Sequence, residues 1–148
     1  MNLFTSNDVK IKLNYNHIWI DHPLFVKLLV NDRVLNFDIS GEPNKNIEKK
    51  LNLDNELHEL KIQITGKNDQ NTSIDQQGKI IQDSFIEITD LQFDNISVLN
   101  MLKNETNFGV FVTNDQNILT KTANFGYNGT LTIPFKVPIY NWLLELVF

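Results

Sequence analysis

The sequence contains no cysteine, so a disulfide framework and thiolate metal sites are excluded and the fold must rest on packing or on assembly. It has no apolar run long enough to span a bilayer. Its first ten residues also lack the basic and apolar regions of a secretory signal. We therefore expect neither conventional secretion nor membrane insertion.

Helix-forming residues are scarce as well. One alanine, Ala123, and one arginine, Arg33, stand against 21 asparagines and 16 isoleucines. Asparagine favours turns and isoleucine favours strands, whereas alanine is the best helix former. The composition therefore predicts an all-β chain, and its bias is of the kind that an AT-rich genome produces.

Charge is spread along the chain without a dense acidic or basic run, and the net charge is -5. Binding to nucleic acid or to anionic lipid is therefore not expected. With 41% hydrophobic and 21% charged residues, the composition is that of a globular protein and not of a disordered one. A length of 148 residues suits one domain with a sizeable core, and we predict a single β-sandwich domain over residues 1–148.

Alternation of apolar and polar residues predicts strands along most of the chain. Residues 9–13 and 60–65 each alternate in this way, as expected of strands with one buried face. Residues 24–30 and 34–39 are separated by Asn31-Asp32 and are typical of a β-hairpin. We expect eight or nine short strands in all, which favours two packed antiparallel sheets.

Other segments depart from this pattern. Residues 41–50 and 67–73 are polar and are predicted to be loops, and residues 96–102 to contain a helical turn. Because proline cannot donate a ladder hydrogen bond, the strand that contains Pro134 is predicted to lie at an edge or to end near Pro138. Residues 139–147 fit either a strand or a helix, and the prolyl start favours a short C-terminal helix.

Recognisable catalytic motifs are absent: the sequence has no P-loop, dinucleotide fingerprint, G-x-S-x-G elbow or H-E-x-x-H pair. We therefore expect a protein without enzymatic activity. The alternative is a glycan-acting enzyme, which would need two facing carboxylates. The candidate pairs are Glu87 with Asp90 and Asp75 with Asp83.

Calcium is the one candidate cofactor. Asp69, Asp75 and Asp83 flank an irregular segment, and carboxylates in such loops suit this hard cation. Their spacing is not that of an EF-hand, so ordinary turn residues are the competing interpretation. A site built on imidazoles would require three histidines to converge with a carboxylate. Hydrogen-bonded histidines are the favoured interpretation of His17, His22 and His58.

Aromatic side chains are candidate platforms for sugar rings, because an aromatic face offers apolar area beside polar groups. The candidates for ligand binding are Trp19, Tyr127 and Trp142. Both tryptophans have apolar neighbours, so core packing is the favoured interpretation for them. Tyr127 lies beside the Asn128-Gly129 turn signal and is expected to be the most exposed of the three.

Two segments resemble small structural proteins of tailed phages. The first covers residues 58–67 and continues over 72–83, and the second joins residues 129–133 to residues 138–145. Together they cover less than half of the chain. Those proteins resemble carbohydrate-binding-module sandwiches, so the resemblance implies a jelly-roll sandwich in a phage particle. It transfers no calcium or sugar site, because no ligand motif of fixed spacing matches.

The favoured function is a non-enzymatic structural or interaction module of a phage virion: a capsid decoration, neck, tail or baseplate component. Such a protein would be made in the host cytoplasm and would bind other virion proteins or copies of itself. The candidate assembly contacts are Leu144, Leu146 and Phe148, and closure of the core is the competing interpretation. The alternative function is a carbohydrate-binding module for host-surface recognition, assisted by calcium.

Overall fold

The computed structural model describes residues 7–32, 35–39, 45–54 and 57–147, without the side chains of Asn36, Lys45 and Val147. Its strands are β1 (Asp8–Ile18), β2 (Phe25–Val30), β3 (Leu35–Asp38), β4 (Lys45–Asn52), β5 (Leu57–Thr65), β6 (Thr72–Ile74), β7 (Ile80–Asp83), β8 (Phe85–Phe93), β9 (Ile96–Ser97), β10 (Val110–Thr113), β11 (Ile118–Leu119), β12 (Asn124–Phe125) and β13 (Gly129–Lys136). The helices are α1 (Leu99–Asn104) and α2 (Ile139–Val147), and a 3₁₀ turn covers Asp69–Asn71.

The strands form two antiparallel sheets and a separate hairpin. One sheet has the order β12-β8-β1-β4, with β9 beside β8, and the other has the order β11-β10-β13-β5-β2-β3. Their buried faces meet in one hydrophobic cluster. Phe93 of the first sheet contacts Phe135 of the second with ring centroids 5.2 Å apart. The predicted antiparallel β-sandwich is confirmed.

Strand β1 shows how the sequence pattern produces the sandwich. Its alternate residues from Val9 to His17 are buried, and their neighbours face outward. This alternation follows from the two-residue period of a strand, in which successive side chains point to opposite faces. The hydroxyl of Tyr15 crosses the core and donates a hydrogen bond of 2.9 Å to the backbone oxygen of Ile39, just beyond β3.

A β-bulge in β8 keeps this alternation in register. Asn14 pairs with Asp90 whereas Tyr15 pairs with Ile88, so Thr89 is left without a partner on β1. The extra residue changes which side chains of β8 face inward. As a result, every buried residue of β1 from Ile11 to His17 has a buried residue of β8 opposite it.

The prediction of a loop over residues 41–50 is wrong for its second half. Lys45–Asn52 form strand β4, which pairs along its whole length with β1, and residues 41–44 lie outside the described residues. The lysines of β4 suggested a loop, but charged residues are common on strands that border a sheet. Ile47 is buried, and the ammonium of Lys49 lies 3.8 Å from the ring centroid of Phe37.

Regular structure also occupies the predicted loop at residues 67–73, and the helical turn predicted within residues 96–102 is present. Residues 67–73, predicted as a loop, contain the 3₁₀ turn and the start of β6. Within residues 96–102, the first two form β9 and the helical turn begins at Leu99. The part of the chain that is described has thirteen strand segments, more than the eight or nine predicted. The excess includes β4, predicted as a loop, and the two-residue segments β9 and β12, which are too short for periodicity to detect.

The C-terminal part of the chain matches most of the prediction. Strand β13 is not at an edge, because β10 and β5 flank it, but it ends at Lys136, near Pro138. Pro134 is tolerated there because β10 pairs with β13 only as far as Thr132. The short C-terminal helix is confirmed as α2.

Candidate interaction site

A cleft of about 410 Å³ opens at one end of the sandwich. Its walls come from the segment after β5, from the β6–β7 hairpin, from the turn after β10 and from the loop before β13. The first two segments are contiguous in the sequence, whereas the other two come from residues 113–115 and 126–128. The cleft therefore depends on contacts between parts of the chain that are distant in sequence.

Lys67 is the central side chain of this end. Its ammonium donates to the carboxylate of Asp83 at 2.6 Å, to the backbone oxygen of Ser84 at 3.0 Å and to the backbone oxygen of Gly126. Because an ammonium has three N–H donors, these contacts occupy all of them. Lys67 thus links the segment after β5 to the start of β8 and to the loop before β13.

Asn128 fixes the backbone of the same lysine. The Lys67 amide donates to Oδ1 of Asn128, and Nδ2 of Asn128 donates to the Lys67 backbone oxygen, both at 2.8 Å. The backbone oxygen of Asn128 accepts in turn from the amide of Asn114 at 3.0 Å. The turn after β10 is thereby joined to the other walls of the cleft.

Asp83 is held as a carboxylate. Burial raises the pKa of Asp83, but hydrogen bonds from Lys67, Thr72 and the Ser84 amide, together with the charge of Lys67, lower it below its usual value. The hydroxyl of Thr72 donates to Asp83 at 2.8 Å across the base of the hairpin. The ion pair is therefore a structural contact whose charges compensate one another.

The hairpin of β6 and β7 is anchored at its base by two fully buried polar residues, Asn71 and Ser84. The side-chain amide of Asn71 donates to the backbone oxygens of Ile20 at 3.0 Å and His22 at 2.8 Å. The Ser84 hydroxyl donates to the backbone oxygen of Asn71 at 2.9 Å. These bonds tie the hairpin to the loop between β1 and β2.

Beyond this base, the hairpin exposes large apolar side chains. Ile74, Ile80 and Ile81 have exposed fractions of 59%, 58% and 62%. Ile74 and Ile80 are cross-strand partners, and a register shift in the pairing leaves Ile81 without a partner. The hairpin therefore carries three large apolar side chains that are open to solvent.

The structure separates the three aspartates predicted to hold calcium. Asp69 and Asp83 line the cleft, but Asp75 lies at the hairpin turn, where it accepts hydrogen bonds from the amides of Gln77 and Lys79. Among the residues that the structure describes, no group of three metal-binding side chains is close enough to hold an ion.

The three histidines have structural hydrogen bonds and do not converge. His17 is buried and accepts a hydrogen bond from the amide of Leu24, and burial lowers its pKa. Hydrogen bonds with Asp21 and the Gly66 backbone oxygen raise the pKa of His22. His58 contacts the side-chain amide of Asn31 at 2.7 Å. The interpretation as hydrogen-bonded histidines is confirmed.

The carboxylates proposed for glycan hydrolysis have structural partners. Glu87 accepts from the side-chain amide of Asn16 at 3.3 Å. Asp90 accepts from the hydroxyl of Ser97 and from Gln92, and these bonds lower the pKa of Asp90. In the other pair, Asp75 accepts a hydrogen bond within the hairpin turn, and Asp83 binds Lys67. These carboxylates are occupied by contacts that stabilise the fold.

The aromatic candidates have three different environments. Trp142 is only 5% exposed and packs against Phe93 and Phe108, as the core interpretation predicted. Trp19 is 40% exposed, so its predicted burial is wrong: it follows the last residue of β1, where the strand's alternation no longer applies. Tyr127 is 60% exposed and borders the cleft.

Two of the predicted assembly residues, Leu144 and Leu146, lie on α2. Ile139 and Trp142 face the core, while Leu144 and Leu146 are exposed. Phe148 lies outside the described residues. Leu146 also borders a groove that includes Met101 and Phe108. The helix thus offers a second apolar surface.

Comparison of the chain with protein-family models, with curated proteins and with solved structures finds no match. The likeness to phage structural proteins and to carbohydrate-binding modules therefore stays a prediction from sequence. Within the described residues, no helix is both long and apolar enough to cross a membrane.

Sequence reasoning missed the residues that shape this end of the molecule. Lys67 and Asn71 fall in a segment read only as polar, and their partners lie up to 61 residues away. One signal for the exposed surface was available. Ile80 and Ile81 are adjacent, which breaks the alternation of apolar and polar residues expected of a strand with one buried face.

Proposed function

We propose that this protein is a non-enzymatic structural module that acts through self-association, as expected for a virion component of the tailed-phage kind that its sequence resembles. The observation that carries the proposal is the β6–β7 hairpin, which lies outside both sheets and exposes Ile74, Ile80 and Ile81. Large exposed apolar patches on an otherwise well-packed protein mark interaction sites. The two sheets themselves share one continuous hydrophobic core.

The hairpin has features of a surface that is covered in an assembly. A two-stranded hairpin is only marginally stable in water by itself. Here Asn71, Ser84 and the Lys67–Asp83 pair hold its base, so that its apolar faces are presented in a fixed position. A fixed surface loses little conformational entropy on binding, which favours association.

Charge makes another copy of the chain a suitable partner. The whole chain has a net charge of -5, which opposes contact between copies. The hairpin is an exception, because Asp75 and Lys79 balance each other and Asp83 is neutralised by Lys67. Two hairpins can therefore approach each other without strong like-charge repulsion.

Light scattering over a range of protein concentrations tests this proposal. We expect the wild-type mass to rise above the monomer mass of 17.2 kDa, whereas Ile80→Ser combined with Ile81→Ser stays monomeric. Ile118→Ser is the matched control, because Ile118 is 66% exposed but lies on β11, outside the hairpin. The control should associate as the wild type does, and all three proteins should have similar melting temperatures.

A wild-type protein that stays monomeric at every concentration would contradict self-association. If such a monomer binds glycans on an array and loses that binding in Tyr127→Ala, the carbohydrate-binding alternative replaces the proposal. Tyr127 is the residue for this arm because it is the exposed aromatic side chain at the cleft.

A further inference from the structure

Asn128 is the only one of the 21 asparagines in the sequence that a glycine follows. In such a pair the backbone nitrogen of the glycine can attack the side-chain amide carbon of the asparagine, because glycine has no side chain to obstruct the approach. Ammonia leaves and a cyclic succinimide forms, which water then opens to aspartate or isoaspartate. In an unfolded molecule Asn128 is therefore the most reactive asparagine of the chain.

The fold requires glycine at position 129. Gly129 is buried at the start of β13, between β10 and β5. A side-chain carbon there would collide with the backbone oxygen of Val112 and would lie 2.8 Å from a ring carbon of Phe111, closer than carbon atoms pack. The residue that makes Asn128 reactive is thus fixed by the packing of the sheet.

The fold requires asparagine at position 128 for a different reason. The Asn128 side chain accepts from the backbone amide of Lys67 and donates to the backbone oxygen of Lys67, both at 2.8 Å. An aspartate at this position could accept but not donate, since an ionised carboxylate is only an acceptor. Both residues of the reactive pair are therefore needed where they are, for separate structural reasons.

In the native structure both reacting groups are held by hydrogen bonds. The attacked carbon belongs to the carboxamide of Asn128, which binds Lys67 through its oxygen and its nitrogen. The attacking nitrogen belongs to the peptide unit between Asn128 and Gly129, and the oxygen of that unit accepts from the Asn114 amide at 3.0 Å. Ring closure turns both groups out of these positions, so the hydrogen bonds must break first.

The Lys67 side chain controls how often they break. Its ammonium binds the backbone oxygen of Gly126, two residues before Asn128, and also binds Asp83 and the backbone oxygen of Ser84. These contacts hold the segment after β5 against the loop before β13, which keeps the Lys67 backbone within reach of Asn128. Such a junction opens locally in only a small fraction of native molecules. The rate of the reaction should follow that fraction.

We propose that Asn128 is a site of spontaneous deamidation, protected while the cleft is intact and reactive when this end of the molecule opens. The reaction consumes only water: the Gly129 nitrogen bonds to the side-chain carbon and loses its proton, ammonia leaves, and water adds to the succinimide. A carboxylate at position 128 then faces the Lys67 backbone oxygen without a donor, and isoaspartate also lengthens the main chain where β13 begins. Because the product cannot rebuild the junction, the opening becomes irreversible.

Peptide mass spectrometry of protein incubated at mildly alkaline pH tests this inference. We expect Asn128 to convert to the acid much more slowly in the native wild type than in urea. The variant Lys67→Met leaves Asn128 and Gly129 unchanged, but it should react at least about tenfold faster than the native wild type, because the broken ion pair raises the open fraction. The matched variant Lys61→Met, which loses only a surface ion pair with Asp32, should react at the wild-type rate.

The comparison requires variants that stay folded, as judged by circular dichroism. If Lys67→Met does not fold, Thr72→Val takes its place, because it removes one donor to Asp83 and leaves Lys67 in position. It should raise the rate in the same direction by a smaller factor.

Stability of the product is tested with Asn128→Asp. It should melt at a lower temperature than Asn117→Asp, a matched control in which the exposed Asn117 makes its described contacts through its backbone. Equal melting temperatures would overturn the irreversible step.

The protected site itself would be overturned by other results. One is a loosened variant, Lys67→Met or Thr72→Val, that reacts no faster than Lys61→Met, since the junction would then not govern the reaction. Another is a native wild-type rate equal to the rate in urea. A third is conversion of other asparagines as fast as Asn128 in the loosened variant.

Discussion

At the residue scale, Lys61 in β5 and Lys67 just after β5 show how burial determines what an ion pair contributes to stability. Lys67 is 13% exposed and binds three acceptors, whereas Lys61 pairs with Asp32 on the surface. Solvent screens a surface pair, so its net contribution to stability is small. Removing one member of a buried pair instead leaves a charge and polar atoms without partners.

The substitution Lys67→Met should therefore destabilise the protein by about 2–4 kcal/mol, because Asp83 and two backbone oxygens lose their donor. The matched substitution Lys61→Met should cost less than about 1 kcal/mol. Urea denaturation of both variants and the wild type measures the difference. Equal losses in the two variants would show that the contacts of Lys67 do not stabilise the fold.

His17 should make stability depend on pH. Burial lowers its pKa from the model-compound value of 6.5, and its Nε2 must be unprotonated to accept from the Leu24 amide. As the pH falls below 6.5, the unfolded chain takes up a proton that the folded protein resists, so the free energy of unfolding decreases. Above this pH the contribution is fully present.

Comparison with His17→Gln isolates this effect, because glutamine keeps an acceptor but does not titrate. The raised pKa of His22 acts in the opposite direction and is common to both proteins. As the pH falls from 8 to 5, the range in which histidine titrates, we expect the wild type to lose free energy of unfolding relative to the variant. Denaturation curves of both proteins at several pH values measure this difference. A difference that is independent of pH would contradict this account.

At the element scale, strand β8 shows what periodicity can and cannot predict. Its apolar residues Ile86, Ile88, Leu91 and Phe93 are all buried. An unbroken alternation would place the last two on the opposite face from the first two. Only the pairing with β1 shows that Thr89 is the extra residue that corrects the register.

Deleting Thr89 should therefore be far more harmful than changing it. Without the extra residue, two of the buried side chains of β8 must turn to solvent, at a cost on the order of 3–6 kcal/mol. Thr89→Ala keeps the residue count and should cost less than about 1 kcal/mol, since Thr89 is exposed. Thermal unfolding of both variants measures the contrast, and a deletion variant as stable as Thr89→Ala would refute the register argument.

Strand β4 shows the opposite limitation. Its lysines led to the prediction of a loop, although Ile47 within the strand and Leu53 just beyond it are buried. Charged side chains are compatible with a strand at the border of a sheet, so polarity alone does not distinguish such a strand from a loop. Pairing with β1 supplies the missing information, and that pairing is a property of the tertiary structure.

At the scale of the whole molecule, the fold class followed from composition and alternation, while the cleft did not. The exposure of Tyr127 was predictable from its position beside a turn. The contacts that build the cleft were not, because Lys67 meets Gly126 and Asn128 across about sixty residues. Sequence patterns report which face of an element is apolar, but not which distant loops meet at its end.

The position of β13 affects how the chain folds as it is synthesised. β13 lies between β10 and β5 in its sheet, yet it is the last of the six strands of that sheet to be made. A ribosome that has produced residues 1–128 has supplied five of the six strands of that sheet, but not the one that joins the two parts. Until β13 emerges, β5 and β10 each present an unpaired edge to neighbouring nascent chains, and such edges promote aggregation. The growing chain is therefore most dependent on chaperones just before β13 is added to the sheet.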